Sequence, residues 1–275
     1  MVRIYNCIFT ISSLQSFRKF LLEMWFKRED LLYLQFKQST TAMERQGHLD
    51  RFYELLSELE DRLGGRRRLE ECHGRMGWPR RGVYFFFEPE ELREDRRASR
   101  VVRVGTHALK IGSRSTLWER LRQHKGYRSG GGNHRGSIFR FHVGTAIREK
   151  EGWEKKFPKW EQRRGIGKAI RKQEFLLEKK VSKHIRLMSF LWLEVDKPPN
   201  SIMMRGYIEQ NAIGLLSNYG KLDTPEALDP PSSNWLGNHC SNDKVRNSGL
   251  WNSNHTDKGY QPNFLKTLEK YLKLM

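Results

Sequence analysis

Apolar residues between Gly47 and Leu63 recur at three- and four-residue spacing, which predicts an amphipathic helix. The positions are Leu49, Phe52, Leu55, Leu56, Leu59 and Leu63. Gly64 and Gly65 follow directly and predict where the helix ends. A similar stripe in the final segment NFLKTLEKYLKLM predicts a C-terminal helix that packs on the edge of the domain.

Three dense apolar runs predict β-strands. The first is GVYFFFEP from Gly82 to Pro89, the second VVRVG from Val101 to Gly105, and the third MSFLWLEV from Met188 to Val195. The first two are predicted to pair as an antiparallel hairpin with a long, charged connection. Between the second and third strands, Thr116 is a predicted N-cap for a helix that ends at Gly126, and YIEQNAIGLLSNY predicts a helix after the third strand.

This order of elements favours an α+β fold with a small, mainly antiparallel three-stranded sheet flanked by helices. Residues 1–42 are predicted as an N-terminal helical extension; alternatively, translation starts at Met43. Residues 43–80 form a helical lead-in and residues 256–275 the C-terminal helix. The main domain is predicted over residues 81–255, with a basic, mostly helical insertion at about 147–186.

The charge of the chain indicates a polyanionic partner. Its 275 residues include 51 Lys and Arg against 32 Asp and Glu, a formal net charge of +19. No compact fold needs this excess, because like charges repel and destabilise the folded state. Nucleic acid is the usual partner of such a protein, and an anionic membrane surface is the less common one.

Other features narrow the class of protein. The three cysteines, Cys7, Cys72 and Cys240, have no paired spacing, which argues against a disulfide framework or zinc site. No apolar stretch approaches the roughly 20 residues that span a bilayer. We therefore expect a cytoplasmic protein that does not bind membranes. The Gly130 to Gly132 loop lacks the GK[ST] sequence of a phosphate-binding loop, so no nucleoside triphosphate site is expected.

The order of several short motifs resembles the GIY-YIG nuclease superfamily. Gly82-Val83-Tyr84 is similar to the first signature, and Arg103-Val104-Gly105 occupies the place of the second. Leu117-x-x-Arg120-Leu121-x-x-His124 is similar to the pattern of the first helix. Tyr207-Ile208-Glu209 resembles the start of the helix with the metal-binding glutamate, and Asn234 resembles a late asparagine. The likeness covers about 150 residues, interrupted by the insertion.

The resemblance implies a role for each of these side chains. Tyr84 would activate or position the attacking water, and Arg120 would hold the scissile phosphate with its planar guanidinium. His124, one helical turn beyond Arg120, would contact the same phosphate or hydrogen-bond Tyr84. Glu209 would bind one Mg²⁺ or Mn²⁺ ion, because a hard cation that keeps its waters can be held by one carboxylate. Asn234 would brace the site.

Arg103 stands where the family usually has tyrosine. A guanidinium cannot act as a base, but it can contact phosphate or favour the ionised form of Tyr84. His107 or Lys110, just beyond this strand, would then supply the missing polar function. Further contacts to nucleic acid are predicted at Arg122, Lys125, Arg135, Arg163, Arg164, Lys168 and Arg171.

The sequence thus predicts a metal-dependent endonuclease that hydrolyses phosphodiester bonds in DNA, with RNA as an alternative substrate. Cutting both strands often needs a dimer, but no segment identifies an interface. One alternative is a nucleic-acid-binding protein that kept the fold and lost catalysis. Another is a basic structural or RNA-associated protein whose motif matches are accidental, in which case Tyr84, Arg120 and Glu209 would lie far apart.

Overall fold

A computed structural model describes residues 42–196, 201–222, 224 and 227–275. The chain divides into two units, Met1–Arg45 and Gln46–Met275. Of the first unit, residues 42–45 are described, and they begin a helix, α1, that spans residues 42–63. The predicted N-terminal extension, apart from residue 42, lies outside the described residues.

The described residues form one four-stranded antiparallel sheet with the order β1-β4-β2-β3. Its strands are β1 Arg67–Arg68, β2 Gly82–Leu92, β3 Ser99–Thr106 and β4 Ser189–Glu194. All three predicted strands are present, and the predicted pairing of β2 with β3 is confirmed. The additional strand, β1, has two residues, which is too short to leave an alternating pattern in the sequence.

Helices cover both faces of this sheet and confirm the predicted α+β class. After α1 they are α2 Leu117–Lys125, α3 Ile138–Lys150, α4 Lys168–Leu187, α5 Ser201–Leu216, α6 Asp243–Ser248 and α7 Phe264–Lys273. Within the range 147–186, predicted as a mostly helical insertion, the end of α3 and most of α4 are separated by turns and bends over residues 151–167. No described helix is both long and apolar enough to cross a membrane.

Strand β2 lies in the middle of the molecule and contributes to a core on each face. Val83 and Phe85 point to the face covered by α1, α5 and α7, whereas Tyr84 and Phe86 point to the face covered by α2, α3 and α4. Successive side chains of a strand point to opposite faces, so a strand buried on both faces is apolar throughout. This explains the unbroken aromatic run in β2.

Helix α2 is fixed at both ends. The Thr116 side chain accepts the backbone N–H of Glu119, and the Glu119 carboxylate accepts the backbone N–H of Thr116, which is a capping box. At the other end Gly126 has a φ of 84°, a conformation that favours glycine. Both predicted ends of this helix are confirmed. The helix therefore holds the side chains along it in fixed positions.

Candidate active site

A cleft of about 400 Å³ opens beside the end of β3, between α2 and α5. Its walls include Tyr84 from β2, Arg103 from β3, Arg120 from α2 and Glu209 from α5, together with His107. The structure therefore brings together side chains that are far apart in the sequence. Tyr84, Arg120 and Glu209 are not scattered over the molecule, contrary to the alternative in which the motif matches are accidental.

Tyr84 lies at the inner end of the cleft and is fully buried. Its hydroxyl is 2.9 Å from Nε2 of His124, and Nδ1 of His124 is 2.9 Å from Oγ of Ser137. Ser137 is the N-cap of α3 and accepts the backbone N–H of Arg140, so its own hydroxyl hydrogen can be donated to Nδ1. In that arrangement Nε2 carries the imidazole hydrogen and donates it to the oxygen of Tyr84.

The imidazole of His124 is neutral at physiological pH. Burial, followed by the nearby charges of Arg120, Arg103 and Arg140, holds its pKa well below the usual 6.5. A neutral imidazole has one donor and one acceptor nitrogen, which matches the chain from Ser137 through His124 to Tyr84. His124 thus contacts Tyr84, one of the two contacts expected for it.

Arg103 lies on the same face of the sheet as Tyr84. Its side chain is buried over the ring of Phe139, and its Nη1 donates to the backbone carbonyl of Trp251. Burial lowers the pKa of Arg103, and the nearby phenol of Tyr84 opposes this shift. The guanidinium nonetheless keeps its charge, because arginine is not deprotonated in proteins. A positive charge therefore lies beside the phenol oxygen.

Gly105 makes room for the Tyr84 ring. The two residues are partners across β2 and β3, and a Cβ on Gly105 would lie 2.4 Å from the hydroxyl oxygen of Tyr84 and 2.5 Å from Cζ. A Cβ on Gly82 would lie 2.6 Å from the backbone oxygen of Leu193. Steric contacts thus explain why glycine stands at both positions of the predicted signatures, and at Gly105 the contact is with Tyr84 itself.

Arg120 reaches the cleft from the exposed side of α2. Its Nη1 donates to Oε1 of Gln123 at 3.0 Å and weakly to the backbone oxygen of Gly136 at 3.4 Å. The side chain is half-buried, so part of the guanidinium faces solvent. A guanidinium in this position can bind an anion that enters the cleft, since it offers several N–H donors in one plane.

Glu209 lies on the opposite wall, in the middle of α5. The prediction that this helix starts at Tyr207 is wrong, because α5 begins at Ser201. Its Oε1 accepts the backbone N–H of Thr106 at 3.1 Å, at the end of β3. Among the described residues no hydrogen bond engages Oε2. Burial raises the pKa of Glu209, and Arg103, the Thr106 N–H and Arg120 oppose this shift. The positive charges and the hydrogen bond around Glu209 therefore do not fully offset the cost of burying its negative charge.

His107 lines the same cleft, as expected for a residue just beyond β3. Its Nε2 donates to the backbone carbonyl of Arg80 at 3.1 Å, and its buried Nδ1 has no hydrogen-bond partner in the described part of the chain. Burial lowers the pKa of His107 to about 4. It is therefore a neutral acceptor at physiological pH rather than a cation for phosphate.

Asn234 is not part of this cleft. It lies in a separate depression with Glu88, His184 and Trp235, so the structure does not place it where it could brace the site. Asn252 occupies that position instead. Its side chain accepts the N–H of Val104 and donates to the Val104 carbonyl, at 3.1 and 2.8 Å. Asn252 lies in the asparagine-rich segment WNSN, and this composition is the signal for it in the sequence.

Comparison with known protein families agrees with this geometry. The model of the GIY-YIG domain matches residues 43–275. This chain belongs to the GIY-YIG family. Members of the family are typically nucleases, which implies a nucleic-acid substrate. No curated protein and no solved structure matches the chain significantly.

The GIY-YIG domain carries many basic side chains outside the cleft, and they differ in how they are used. Exposed ones among the predicted contacts are Lys110, Arg122, Arg163, Arg164, Lys168 and Arg171. Two others are engaged within the protein. Arg135 donates to both carboxylate oxygens of Glu174 at 2.7 and 2.8 Å, and Lys125 donates to the carbonyls of Glu70 and Cys72. Arg135 and Lys125 therefore stabilise loops in this structure.

Proposed function

We propose that this GIY-YIG protein is a metal-dependent endonuclease that hydrolyses phosphodiester bonds in DNA. The observation that supports it most strongly is the meeting of a phenol, a guanidinium and a carboxylate in one cleft, from Tyr84, Arg120 and Glu209. Hydrolysis of a phosphodiester needs an activated water, a cation that stabilises the charge developing on phosphate, and a ligand for a metal.

Arg120 binds the scissile phosphate in this proposal. Its guanidinium is held toward the cleft by Gln123 and the carbonyl of Gly136, so less side-chain freedom is lost when phosphate binds. Arg103 adds a second positive charge deeper in the cleft. The two cations favour the phosphate more as negative charge accumulates in the transition state, which is where binding accelerates the reaction.

Tyr84 activates or positions the water. The hydrogen bond from Nε2 of His124 and the nearby positive charge of Arg103 both stabilise the phenol oxygen when it carries negative charge. Neutral His124 does this without repelling Arg103. Tyr84 lines the inner end of the cleft, so a water molecule seated there can reach its oxygen. The phenolate would accept the proton of that water as it attacks phosphorus.

Glu209 fits the requirement for a hard metal ion. A carboxylate oxygen is the ligand that Mg²⁺ prefers, and an incompletely compensated carboxylate gains from an added cation. In the described part of the chain, no group of three His, Cys, Asp or Glu residues surrounds a common point, so the ion would keep most of its waters. When bound, Mg²⁺ or Mn²⁺ would neutralise charge on the phosphate.

Incubation of the purified protein with supercoiled plasmid tests the proposal. We expect nicked or linear DNA with Mg²⁺ and none with EDTA. Tyr84→Phe and Glu209→Gln should each slow cleavage by at least roughly a hundredfold, because they remove the base and the metal ligand. Arg62→Ser, an exposed change on α1, is the control: it is purified in the same way and should cleave like the wild type. Unchanged cleavage by Glu209→Gln would refute the metal assignment.

Arg103 supports an alternative function, binding of nucleic acid without cleavage. Arg103 takes the place of a family tyrosine, so a protein that binds nucleic acid without cutting it remains a second candidate function. In that case the wild-type protein would shift DNA in a gel at low salt with every divalent ion tested, and no cleavage product would form. The plasmid assay and the gel shift together separate the two functions.

A further inference from the structure

A second and larger cleft lies on the other side of α2. Its volume is about 810 Å³, and α2 contributes Trp118, Arg122 and Lys125 to its wall. The segment after α2 adds Tyr127 and Arg128. A volume of this size suits a ligand of the dimensions of a nucleotide. Neither the motifs of the sequence nor the proposed catalytic chemistry uses this cleft.

Aromatic side chains form part of the cleft. Trp118 stacks on Trp78 with ring centroids 5.5 Å apart and planes at 11°, and Trp78 in turn contacts Trp192. Trp118 is therefore held rigidly by rings behind it. Tyr127 is 57% exposed, a large exposure for a tyrosine that lines a cleft. Rigid and accessible rings of this kind are the surfaces on which unpaired bases stack.

The charge of the cleft is positive. Arg122, Arg128, Lys125 and Arg186 line it, whereas Glu70 is its single carboxylate, and Glu70 is itself paired with Arg68 at 3.1 Å. Lys125 and Arg186 donate to backbone carbonyls around the cleft and thereby fix its shape. Arg122 and Arg128 are exposed at its rim, where they can contact phosphate.

The two clefts share one wall residue. Gln123 contributes to both, and it also accepts the hydrogen bond from Arg120 that holds the guanidinium toward the catalytic cleft. A helix with its side chains is about 10–12 Å across, a distance that a few nucleotides of one strand can span. A strand whose phosphate binds Arg120 can therefore place a nearby base in the second cleft.

On this basis we propose that the second cleft binds an unpaired base of the substrate strand, within a few nucleotides of the scissile phosphate. The inference rests on the proposed nuclease function. In a duplex each base is stacked and paired, so its face is not available to Trp118 or Tyr127. The enzyme therefore selects DNA in which the cut site adjoins single-stranded nucleotides, such as a tail, a flap or a bubble.

Binding of DNA that carries 2-aminopurine tests the proposal without relying on cleavage. The probes are duplexes with a single-stranded tail and the fluorescent base at the first, second or third unpaired position, each mixed with wild-type protein in EDTA. A blunt duplex of the same paired sequence is the reference. We expect quenching of the tail and tighter binding of tailed than of blunt DNA. Removal of one stacking partner costs about 1–3 kcal/mol, which is roughly five- to 150-fold in affinity.

Two variants and a control complete the experiment. Trp118→Leu keeps an apolar side chain against Trp78, and the surface variant Tyr127→Ser avoids any change to the core. Each variant should bind tailed DNA more weakly than the wild type and bind blunt DNA equally well, whereas Arg62→Ser should change neither affinity. Equal affinity of wild-type protein for tailed and blunt DNA, or no effect of either variant, would overturn the inference. If plasmid is never cut but tail binding still depends on Trp118, the proposed catalysis fails and the binding site stands.

Discussion

Gly105 offers the sharpest test of how the active site is built. Its replacement by alanine would place Cβ 2.4 Å from the hydroxyl oxygen of Tyr84 and 2.5 Å from Cζ. Ordinary contacts between such atoms are about 3.5–4.0 Å, so the ring has to move by about 1 Å. Tyr84 is fully buried between the rings of Phe86 and His124, and it cannot move freely.

The expected cost follows from these contacts. Overpacking of a close-packed core costs about 1–3 kcal/mol, and loss of the hydrogen bond between Tyr84 and His124 adds about 0.5–1.5 kcal/mol. Gly105→Ala should thus lower the free energy of unfolding by about 2–4 kcal/mol. Displacement of a catalytic group by about 1 Å can cost roughly a hundredfold in rate, so cleavage should fall by that factor under conditions in which the variant is folded.

Urea denaturation and the initial rate of plasmid cleavage measure the two effects. Gly47→Ala is the matched control, because no atom lies within 4 Å of its Cβ position and it sits inside α1. Alanine there should stabilise the protein by about 0.5–1 kcal/mol. In a Tyr84→Leu background, which lacks the clashing ring, Gly105→Ala should cost much less. Wild-type stability and rate in Gly105→Ala would show that the steric reasoning is incorrect.

Three further predictions concern single side chains. Arg120→Lys should lower the rate constant for cleavage by about tenfold or more while the protein stays folded, because an ammonium lacks the planar fork of donors. Glu209→Gln should raise the melting temperature without metal at pH 7. Burial raises the pKa of Glu209, so the stability that its protonated carboxyl contributes is fully present at low pH and is lost as the pH rises through that pKa. Mg²⁺ should then stabilise the wild-type protein and not this variant. His142→Leu should reduce the loss of stability between pH 6.5 and 4, because burial lowers the pKa of His142 to about 3 and folding opposes its protonation.

These predictions have controls of their own. For Arg120→Lys, circular dichroism has to show an unchanged fold, and an unchanged rate would exclude a bidentate phosphate contact. For Glu209→Gln, equal stabilisation of both proteins by Mg²⁺ would place the ion elsewhere. For His142→Leu, urea titrations at pH 7 and pH 4.5 give the comparison. A pH dependence equal to that of the wild type would mean that other groups, such as His107, dominate acid unfolding.

The local pattern of the chain was sufficient to predict most elements of the fold. Apolar spacing predicted α1, and the capping pair Thr116 and Gly126 predicted both ends of α2, because these signals depend on neighbours in the sequence. The sequence does not predict helix α3, because this helix is buried nearly all round and polar residues such as Arg140 and His142 are buried with the apolar ones. A helix of this kind has little of the amphipathic pattern by which helices are recognised.

The site was predictable where a motif fixes a residue and unpredictable where packing does. Tyr84, Arg120 and Glu209 carried family-like spacing, and the structure brings all three to the same cleft. Asn252 could not be separated from Asn234 by sequence, since both lie in polar turns. Its place depends on a loop that returns across β3 to the backbone of Val104, a contact between segments distant in the chain.

The position of β2 between two cores has a consequence for the order in which activity arises. Tyr84 belongs to the layer that contains α2, whereas Glu209 belongs to α5 in the other layer, and the Thr106 N–H joins them at the end of β3. During synthesis from the N-terminus, the phenol and Arg120 emerge long before the carboxylate. Under the proposed function, a nascent or half-assembled chain would attract DNA through its basic surface without a complete cutting centre, and hydrolysis would wait until both layers have closed around the sheet.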